Sequence, residues 1–142
     1  MIEDRLELTD LVVKLGRWLD DPREDDGLRT VFAKDAVVHA PRGMSTGFDE
    51  VLVSARTSST VDGGRTQHLS TDVLVDVAGD RADVSANLLN IFFRDGQPPH
   101  RQAGTRYDFT ARRTEEGWRF DGARITPVWS DPVPPGFPPA AA

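Results

Sequence analysis

Apolar residues in the first half of the chain recur at the three-and-four spacing that is typical of amphipathic helices. The longest of these stripes consists of Leu8, Leu11, Val12, Leu15, Trp18 and Leu19. Pro22 and the acidic run after it predict the end of this first helix. Two shorter stripes predict a second helix around Leu28, Val31 and Phe32 and a third around Phe48, Val51, Leu52 and Ala55. Between these two helices, residues 36–40 predict a short strand and residues 43–47 a loop.

The second half of the chain alternates apolar and polar residues with the period of two that is expected of β-strands. Turn sequences at 78–80, 95–96 and 115–117 divide it. The predicted strands cover residues 69–77, 82–93, 105–113 and 118–129. Pro127 indicates an edge position or a bulge in the last strand, because proline cannot donate a hydrogen bond to a neighbouring strand. Three helices followed by an antiparallel meander predict an α+β fold in which the helices pack on one face of a curved, mostly antiparallel sheet and form a cone.

The length of 142 residues predicts a single domain. We assign residues 1–130 to that domain and residues 131–142 to a proline-rich tail. The tail holds five prolines and is predicted to be either disordered or an ordered strap over a neighbouring surface.

Composition and charge exclude several classes of function. The net charge is −6 and no block of lysine and arginine is present, so nucleic-acid binding is not expected. No apolar run approaches the roughly 20 residues that span a bilayer, and the N-terminus lacks the features of a signal peptide, so we expect a cytoplasmic protein. The absence of cysteine excludes disulfides and thiol chemistry. The three histidines are too far apart in sequence to form a metal motif, and no cofactor is indicated.

His68 is the leading candidate for chemistry, because it follows a glycine turn at 62–64 where helical sequence gives way to sheet. A base at that point could reach a pocket enclosed by helices and strands. Histidine is the residue best suited to both accept and donate a proton near neutral pH. The alternative is a histidine whose ring merely bonds to local backbone or is exposed.

Several short strings, taken together in their order and spacing, resemble the SnoaL-like branch of the nuclear transport factor 2-like superfamily. They are Trp18-Leu19-Asp20, the segment 31–38, Thr66-Gln67-His68, Gly79-Asp80-Arg81-Ala82 and Gly117-Trp118-Arg119-Phe120. Within it, the histidine segment is similar to that of the scytalone dehydratase and hexachlorocyclohexane dehydrochlorinase branch. The resemblance implies a catalytic pair formed by His68 and an aspartate at the end of the first helix. The dehydratases have a second histidine on the next strand, and the corresponding region of this chain, residues 90–93, contains no histidine.

Helical geometry selects Asp20 over Asp21 as the partner of His68. At about 100° per residue, Val12, Gly16 and Asp20 lie one above another beside the apolar stripe, whereas Asp21 falls on the solvent side. Glycine costs about 1 kcal/mol in a helix relative to alanine, so Gly16 requires a packing or cavity reason. The alternative for Asp20 is that it simply ends the helix before Pro22.

The pairing predicts a cofactor-independent enzyme of the lyase or isomerase type. A carboxylate bonded to one imidazole nitrogen leaves the other free to remove a proton from carbon, which begins a dehydration, another elimination or a cyclisation. The substrate is expected to be a small hydrophobic cyclic molecule. The competing hypothesis is a non-catalytic domain that binds a small hydrophobic ligand.

Six further residues are candidates for contact with the substrate. Asn87 and Asn90 lie on opposite faces of one strand, and the sequence leaves open which of them faces the pocket. Arg124 lies near a functional arginine of the dehydrochlorinases, as the resemblance implies. The complete set is Asn87, Asn90, Phe92, Tyr107, Arg124 and Trp129. The resemblance also implies a homodimer or homotrimer that buries the open face of the sheet.

Overall fold

A computed structural model describes residues 1–21, 25–60 and 64–137. These described residues form three helices, α1 (Ile2–Asp20), α2 (Asp25–Arg29) and α3 (Phe48–Thr60). They also form six strands, β1 (Phe32–Ala40), β2 (Gly43–Thr46), β3 (Arg65–Ala78), β4 (Arg81–Phe93), β5 (Arg101–Thr114) and β6 (Gly117–Asp131). No helix among the described residues is long and apolar enough to cross a lipid bilayer.

The strands form one sheet in the order β2-β1-β6-β5-β4-β3. All neighbours are antiparallel except β1 and β6, which run parallel. The helices cover one face of this sheet, which we call the inner face, and the opposite face is the outer face. The core lies between the helices and the inner face, and its fully buried side chains include Leu8 of α1, Leu88 of β4 and Trp118 and Phe120 of β6. The predicted α+β architecture is therefore confirmed.

The predicted amphipathic stripe is the buried face of α1. Glu3 and Asp4 lie in its first turn, where acidic side chains interact favourably with the positive end of the helix dipole. The helix packs chiefly along β3, so its last turn comes to lie over the first half of that strand. This packing decides which residues of the two elements meet.

Two local predictions differ from the structure around the second helix. α2 ends at Arg29, and Phe32 begins β1, because Phe32 pairs with Phe120 of the last strand and the Phe120 N–H donates to the Val31 carbonyl. The predicted loop at 43–47 is largely β2, which pairs antiparallel with β1. β2 has no alternation of apolar and polar residues, and its hydrogen bonds to β1 form it instead.

The long strands begin or end beyond the predicted bounds, and two of them are irregular. β3 begins at Arg65, so His68 lies inside a strand and not at its mouth. In β3 the register shifts between Thr71 and Leu74, where Asp72 has a φ of 54°. In β6, Pro127 pairs with Thr105 and Trp129 with Gly104, which leaves a bulge next to the proline as predicted.

The C-terminal segment is only partly described. β6 continues to Asp131, and Ser130 Oγ donates to the Pro132 carbonyl at 2.9 Å. The end of the predicted tail, residues 138–142, lies outside the described residues. Pro22 and Glu24 after α1 and most of the glycine turn before β3, residues 62–63, also lie outside them.

Candidate active site

His68 lies on the inner face of β3, directly against α1. Its side chain is 8% exposed, and that of Asp20 is 24% exposed. A Cβ added to Gly16 would lie 3.4 Å from His68 Cβ and 3.5 Å from Ser70 Oγ. Both distances are ordinary van der Waals contacts, so Gly16 packs against β3 with room for a methyl group but not for a longer side chain.

Asp20 and His68 are joined by two hydrogen bonds that end on the same oxygen. Asp20 Oδ1 lies 2.6 Å from His68 Nδ1 and 2.9 Å from the backbone nitrogen of His68. Because an ionised carboxylate only accepts hydrogen bonds, Nδ1 carries the proton in this arrangement. The Nε2 atom of a neutral His68 then holds a lone pair that can accept a proton. The carboxylate thus fixes both the position and the tautomer of the ring.

Thr66 is a third member of this cluster, which the sequence reasoning did not propose as a functional residue. Its hydroxyl lies 3.3 Å from the Leu19 carbonyl and 3.4 Å from Asp20 Oδ1, and the residue is only 6% exposed. The hydroxyl thereby connects the last turn of α1 to β3. Residues two apart in a strand share a face, so the Thr66-Gln67-His68 spacing could have placed Thr66 beside His68.

Three of the six candidate contact residues lie on the inner face. Asn90 is directly opposite His68 across the β3–β4 pair and is 8% exposed. Phe92 is opposite Thr66 in the same pair. Tyr107 is buried farther along the face, and its burial raises the pKa of the phenol to about 12, so it is a neutral hydroxyl at physiological pH.

The other three candidate residues lie on the outer face, and the structure does not bring them together with His68. Asn87 accepts a hydrogen bond from Arg106 and donates one to Asp72. Arg124 of β6 lies opposite Asp108 of β5 in the strand register. The indole of Trp129 lies against Gly104, where an added Cβ would overlap it. The physical reason is strand alternation, since a residue one position away from an inward side chain points outward.

Two concave regions bear on ligand binding. An inner cavity of about 60 Å³ lies between the helices and the sheet, and it is apolar except for two serines and the tyrosine. Asp20 and His68 are not among the described residues that line this cavity. The lining residues are Leu15, Leu19, Phe32, Val38, Ala40, Val51, Ser54, Ala55, Ser58, Tyr107, Ala123 and Ile125. The outer face carries an open concavity of about 750 Å³, whose lining includes Arg124 and His39.

No group of three or more histidine, aspartate and glutamate side chains with the arrangement of a metal site occurs among the described residues. The chemistry that the cluster itself can perform is proton transfer. Asp20 orients the ring, Thr66 holds Asp20 against the strand, and His68 supplies the titratable nitrogen.

Comparison with known proteins places the chain in a family. The profile of the SnoaL-like domain matches residues 1–124. We found no curated protein with a significant sequence match. Among solved structures, a hexachlorocyclohexane dehydrochlorinase from Novosphingobium barchaimii superposes with a TM-score of 0.77 at 16% identity, over 91% of this chain and 89% of that one.

Two proteins from Novosphingobium aromaticivorans are similar as well. One, provisionally assigned as a scytalone dehydratase, has a TM-score of 0.73 at 19% identity and covers 92% of this chain and 90% of its own. The other, provisionally assigned as an aromatic ring hydroxylase, has a TM-score of 0.76 at 24% identity and covers 91% and 92%. At these identities the likeness establishes a common fold.

Proposed function

The chain belongs to the SnoaL-like family, and from this premise we propose that it is a cofactor-independent enzyme of the lyase type, acting on a small hydrophobic cyclic molecule. In this proposal His68 is the general base and Asp20 is its partner. The single observation that carries the proposal is that Asp20 Oδ1 accepts hydrogen bonds from both the ring Nδ1 and the backbone nitrogen of His68.

This pair of hydrogen bonds suits proton abstraction from carbon. Before reaction, the bond to Nδ1 holds the Nδ1–H tautomer of His68 and leaves Nε2 free to accept a proton. After the proton has moved, the negative carboxylate stabilises the imidazolium. The pair is partly buried, with 8% of the His68 side chain and 24% of the Asp20 side chain exposed, and a charge interaction is stronger there than between fully exposed groups.

The reaction proposed is an elimination. His68 Nε2 takes a proton from the carbon next to a carbonyl, and the electrons of that C–H bond form a carbon–carbon double bond. The bond to the leaving group on the following carbon breaks, and the leaving group departs with the proton that His68 releases. An isomerisation or cyclisation would begin with the same abstraction.

The similar structures support elimination without selecting a substrate. A dehydrochlorinase and a dehydratase remove HCl and water respectively, as their names state. The protein assigned as a hydroxylase shares the fold under a different chemistry, so the fold alone does not select a reaction. The Asp20–His68 geometry supports proton abstraction, and among the reactions that begin with it the similarity to a dehydrochlorinase and a dehydratase favours elimination.

The test measures proton abstraction directly and does not require the natural substrate. Cyclohexanone is incubated with the protein in D₂O, and NMR follows the loss of the C2 protons. The wild-type protein should accelerate this exchange. His68→Gln should reduce the acceleration on the order of 10²- to 10⁴-fold, the usual contribution of a general base.

His39→Gln is the matched control, because His39 is an exposed histidine on the outer face. It should exchange at the wild-type rate. Equal rates for wild type and His68→Gln, in the presence of measurable catalysis, would show that His68 is not the base.

A non-catalytic ligand-binding function is the second candidate, and the inner cavity favours it. The lining is largely apolar and does not include the Asp20–His68 pair among its described residues. Two water molecules would fill about 60 Å³, so a cyclic ligand requires the cavity to widen. Calorimetric binding of cyclohexanone without any acceleration of exchange would select this function over the lyase.

A further inference from the structure

Tyr107 brings a buried hydroxyl without a hydrogen-bond partner to the inner cavity. The residue is 7% exposed and lines the cavity from β5. Its hydroxyl forms no hydrogen bond with another described residue, and burial alone raises its pKa to about 12. The group therefore keeps its proton at physiological pH and has no acceptor for it within the described part of the chain. A buried donor without an acceptor is unfavourable, and native structures contain few of them.

Helix α3 brings two more hydroxyls to the same cavity. Ser54 and Ser58 lie four residues apart on one face of the helix, and both line the cavity. A serine or threonine inside a helix can donate to a carbonyl of the preceding turn, and the Thr57 hydroxyl does so to Val53 at 2.9 Å. Neither serine side chain forms such a bond, or any other, with a described residue. The helix wall and the sheet wall thus both present hydroxyls to whatever occupies the cavity.

The rest of the lining restricts the chemistry of this occupant. The other residues that the structure places around the cavity are all apolar, and none is charged. An ion would lose its hydration there without gaining a counter-charge, so the occupant is neutral. The volume of about 60 Å³ admits the polar end of a ligand but not a whole ring. The remainder of the ligand would extend toward Ser58, which is exposed and lies where the cavity meets solvent.

A carbonyl oxygen is complementary to hydroxyls on two opposing walls. It has two lone pairs, so it can accept one hydrogen bond from the sheet and one from the helix. On the helix, Ser54 is the more buried of the two serines and therefore the closer match to the buried Tyr107.

We propose that the inner cavity binds the carbonyl group of a small neutral ketone, with Tyr107 donating one hydrogen bond to the carbonyl oxygen and Ser54 donating the second. Asp20 and His68 are not among the described residues that line this cavity. The ketone site is therefore independent of whether His68 acts as a base.

The test compares two probes of the same shape. Butanone has a carbonyl oxygen where 2-methylbut-1-ene has a methylene group. Each probe is titrated into ¹⁵N-labelled protein, and the backbone amides of Ala123 and Ile125, which line the cavity, report binding. Tyr107→Phe removes the hydroxyl alone. It should raise the Kd of butanone on the order of 10-fold and should not raise that of the hydrocarbon.

Ser54→Ala should raise the Kd of butanone about threefold, because it removes the second donor. Thr57→Val is the matched control on α3, since the Thr57 hydroxyl is exposed and bonds within the helix, and it should bind both probes as the wild type does. An unchanged Kd of butanone in Tyr107→Phe would overturn the inference and leave the cavity to water. The absence of a saturable shift at Ala123 and Ile125 in the wild type would overturn it as well. Dispersed amide spectra establish that each variant is folded.

The exchange experiment with His68→Gln separates this inference from the proposed function. Binding of butanone that depends on Tyr107, without any exchange by the wild type, would retain the ketone site while the lyase function fails. Exchange that depends on His68, together with butanone binding that does not depend on Tyr107, would overturn the ketone site alone.

Discussion

Asp20 Oδ1 accepts hydrogen bonds from the ring and the backbone of His68, so the geometry and the charge of this carboxylate can be separated by mutation. An asparagine keeps one oxygen that can accept both bonds. It lacks the negative charge that stabilises the imidazolium. Replacing Asp20 by asparagine therefore tests whether the carboxylate only holds the backbone and ring of His68 in place or also takes part in proton transfer.

We expect Asp20→Asn to remain folded and to lower the exchange rate of the cyclohexanone C2 protons on the order of 10²-fold or more. Asp20→Ala, which removes both hydrogen bonds, should also lose thermal stability. Asp21→Asn is the control, since the neighbouring aspartate is exposed and should not affect exchange. Wild-type exchange in Asp20→Asn would assign Asp20 a purely structural role.

A second prediction for a single residue concerns Gly16. The Cβ of Gly16→Ala would make ordinary contacts of 3.4 and 3.5 Å with His68 and Ser70, and alanine favours a helix by about 1 kcal/mol over glycine. We expect Gly16→Ala to raise Tm by about 3 °C with exchange retained. Gly16→Leu should push β3 from the helix and lower both Tm and exchange. A large loss of stability in Gly16→Ala would contradict the contacts described.

The sequence contains most of the information on the Asp20–His68 pair and little on its surroundings. The position of His68 before a strand nominated the histidine, the family resemblance implied its pairing with an aspartate at the end of the first helix, and helical geometry selected Asp20 over Asp21. Strand alternation places Asn87 and Asn90 on opposite faces but cannot say which face is inward, because that depends on how the helices pack. Arg124 and Trp129 were proposed from resemblance and aromatic character, and their outward direction appears only with the register of β6.

Among the elements, α1 is attached to the sheet at both ends. Its C-terminal end is held by Thr66 and His68 of β3, and its first turn by a polar cluster at the β5–β6 hairpin. There Arg113 donates to Asp4 at 2.8 Å and to Asp80 at 3.0 Å, and the Trp118 indole donates to Asp4 at 3.0 Å. The Arg113 hydrogen bond, with that of Trp118, holds the pKa of Asp4 well below its usual value.

This lowered pKa gives the stability of the protein a pH dependence with a defined sign. A carboxyl whose pKa is lower in the folded state stabilises the fold above its unfolded pKa, near 4, and loses that contribution as the pH falls toward the folded value. We expect Asp4→Asn to lower Tm at pH 7. The difference from wild type should shrink as the pH is lowered below about 4 in a series of calorimetric scans.

Asp10→Asn is the control for the Asp4 variant, because Asp10 is an exposed aspartate of the same helix. Its Tm should follow that of the wild type at every pH. A difference for Asp4→Asn that stays constant down to pH 2 would show that the charge of Asp4 is not what matters.

Sequence periodicity predicted the elements that have an apolar stripe and missed those formed by pairing alone. α1, α3 and the four long strands carry their own pattern of burial. β2 has only small and polar residues apart from Met44, and its hydrogen bonds to β1 form it. The early start of β1 depends on Phe120, far away in the chain, so no local pattern could indicate it.

At the scale of the whole molecule, the outer face leaves apolar side chains in water. Leu69 is 41% exposed, Trp129 43% and Leu74 71%. Isolated apolar residues on a surface are ordinary, whereas several on one sheet face suit a contact between subunits. We propose this face as the contact of the homodimer or homotrimer that the family resemblance implies.

Sedimentation velocity tests this assembly. The wild type should sediment as a dimer or trimer, and Leu74→Glu should weaken association at least about tenfold, because an unpaired carboxylate would be buried in the contact. Val53→Glu is the control, since Val53 is 64% exposed on α3, away from the sheet. A wild-type monomer at all concentrations, or equal effects of the two variants, would refute the assignment.

The parallel pairing of β1 with β6 has a consequence for the way the molecule is made. β1 ends at Ala40 and can pair at once with β2, but its other neighbour β6 begins only at Gly117. The parallel pairing therefore cannot form until the last strand has left the ribosome. β3 and β4, by contrast, are joined by a tight hairpin and can pair as soon as both have emerged, with α1 already available to cover them. We therefore expect a nascent chain that stops after β4 to hold Asp20 beside His68 while the other side of the cone is still open to solvent.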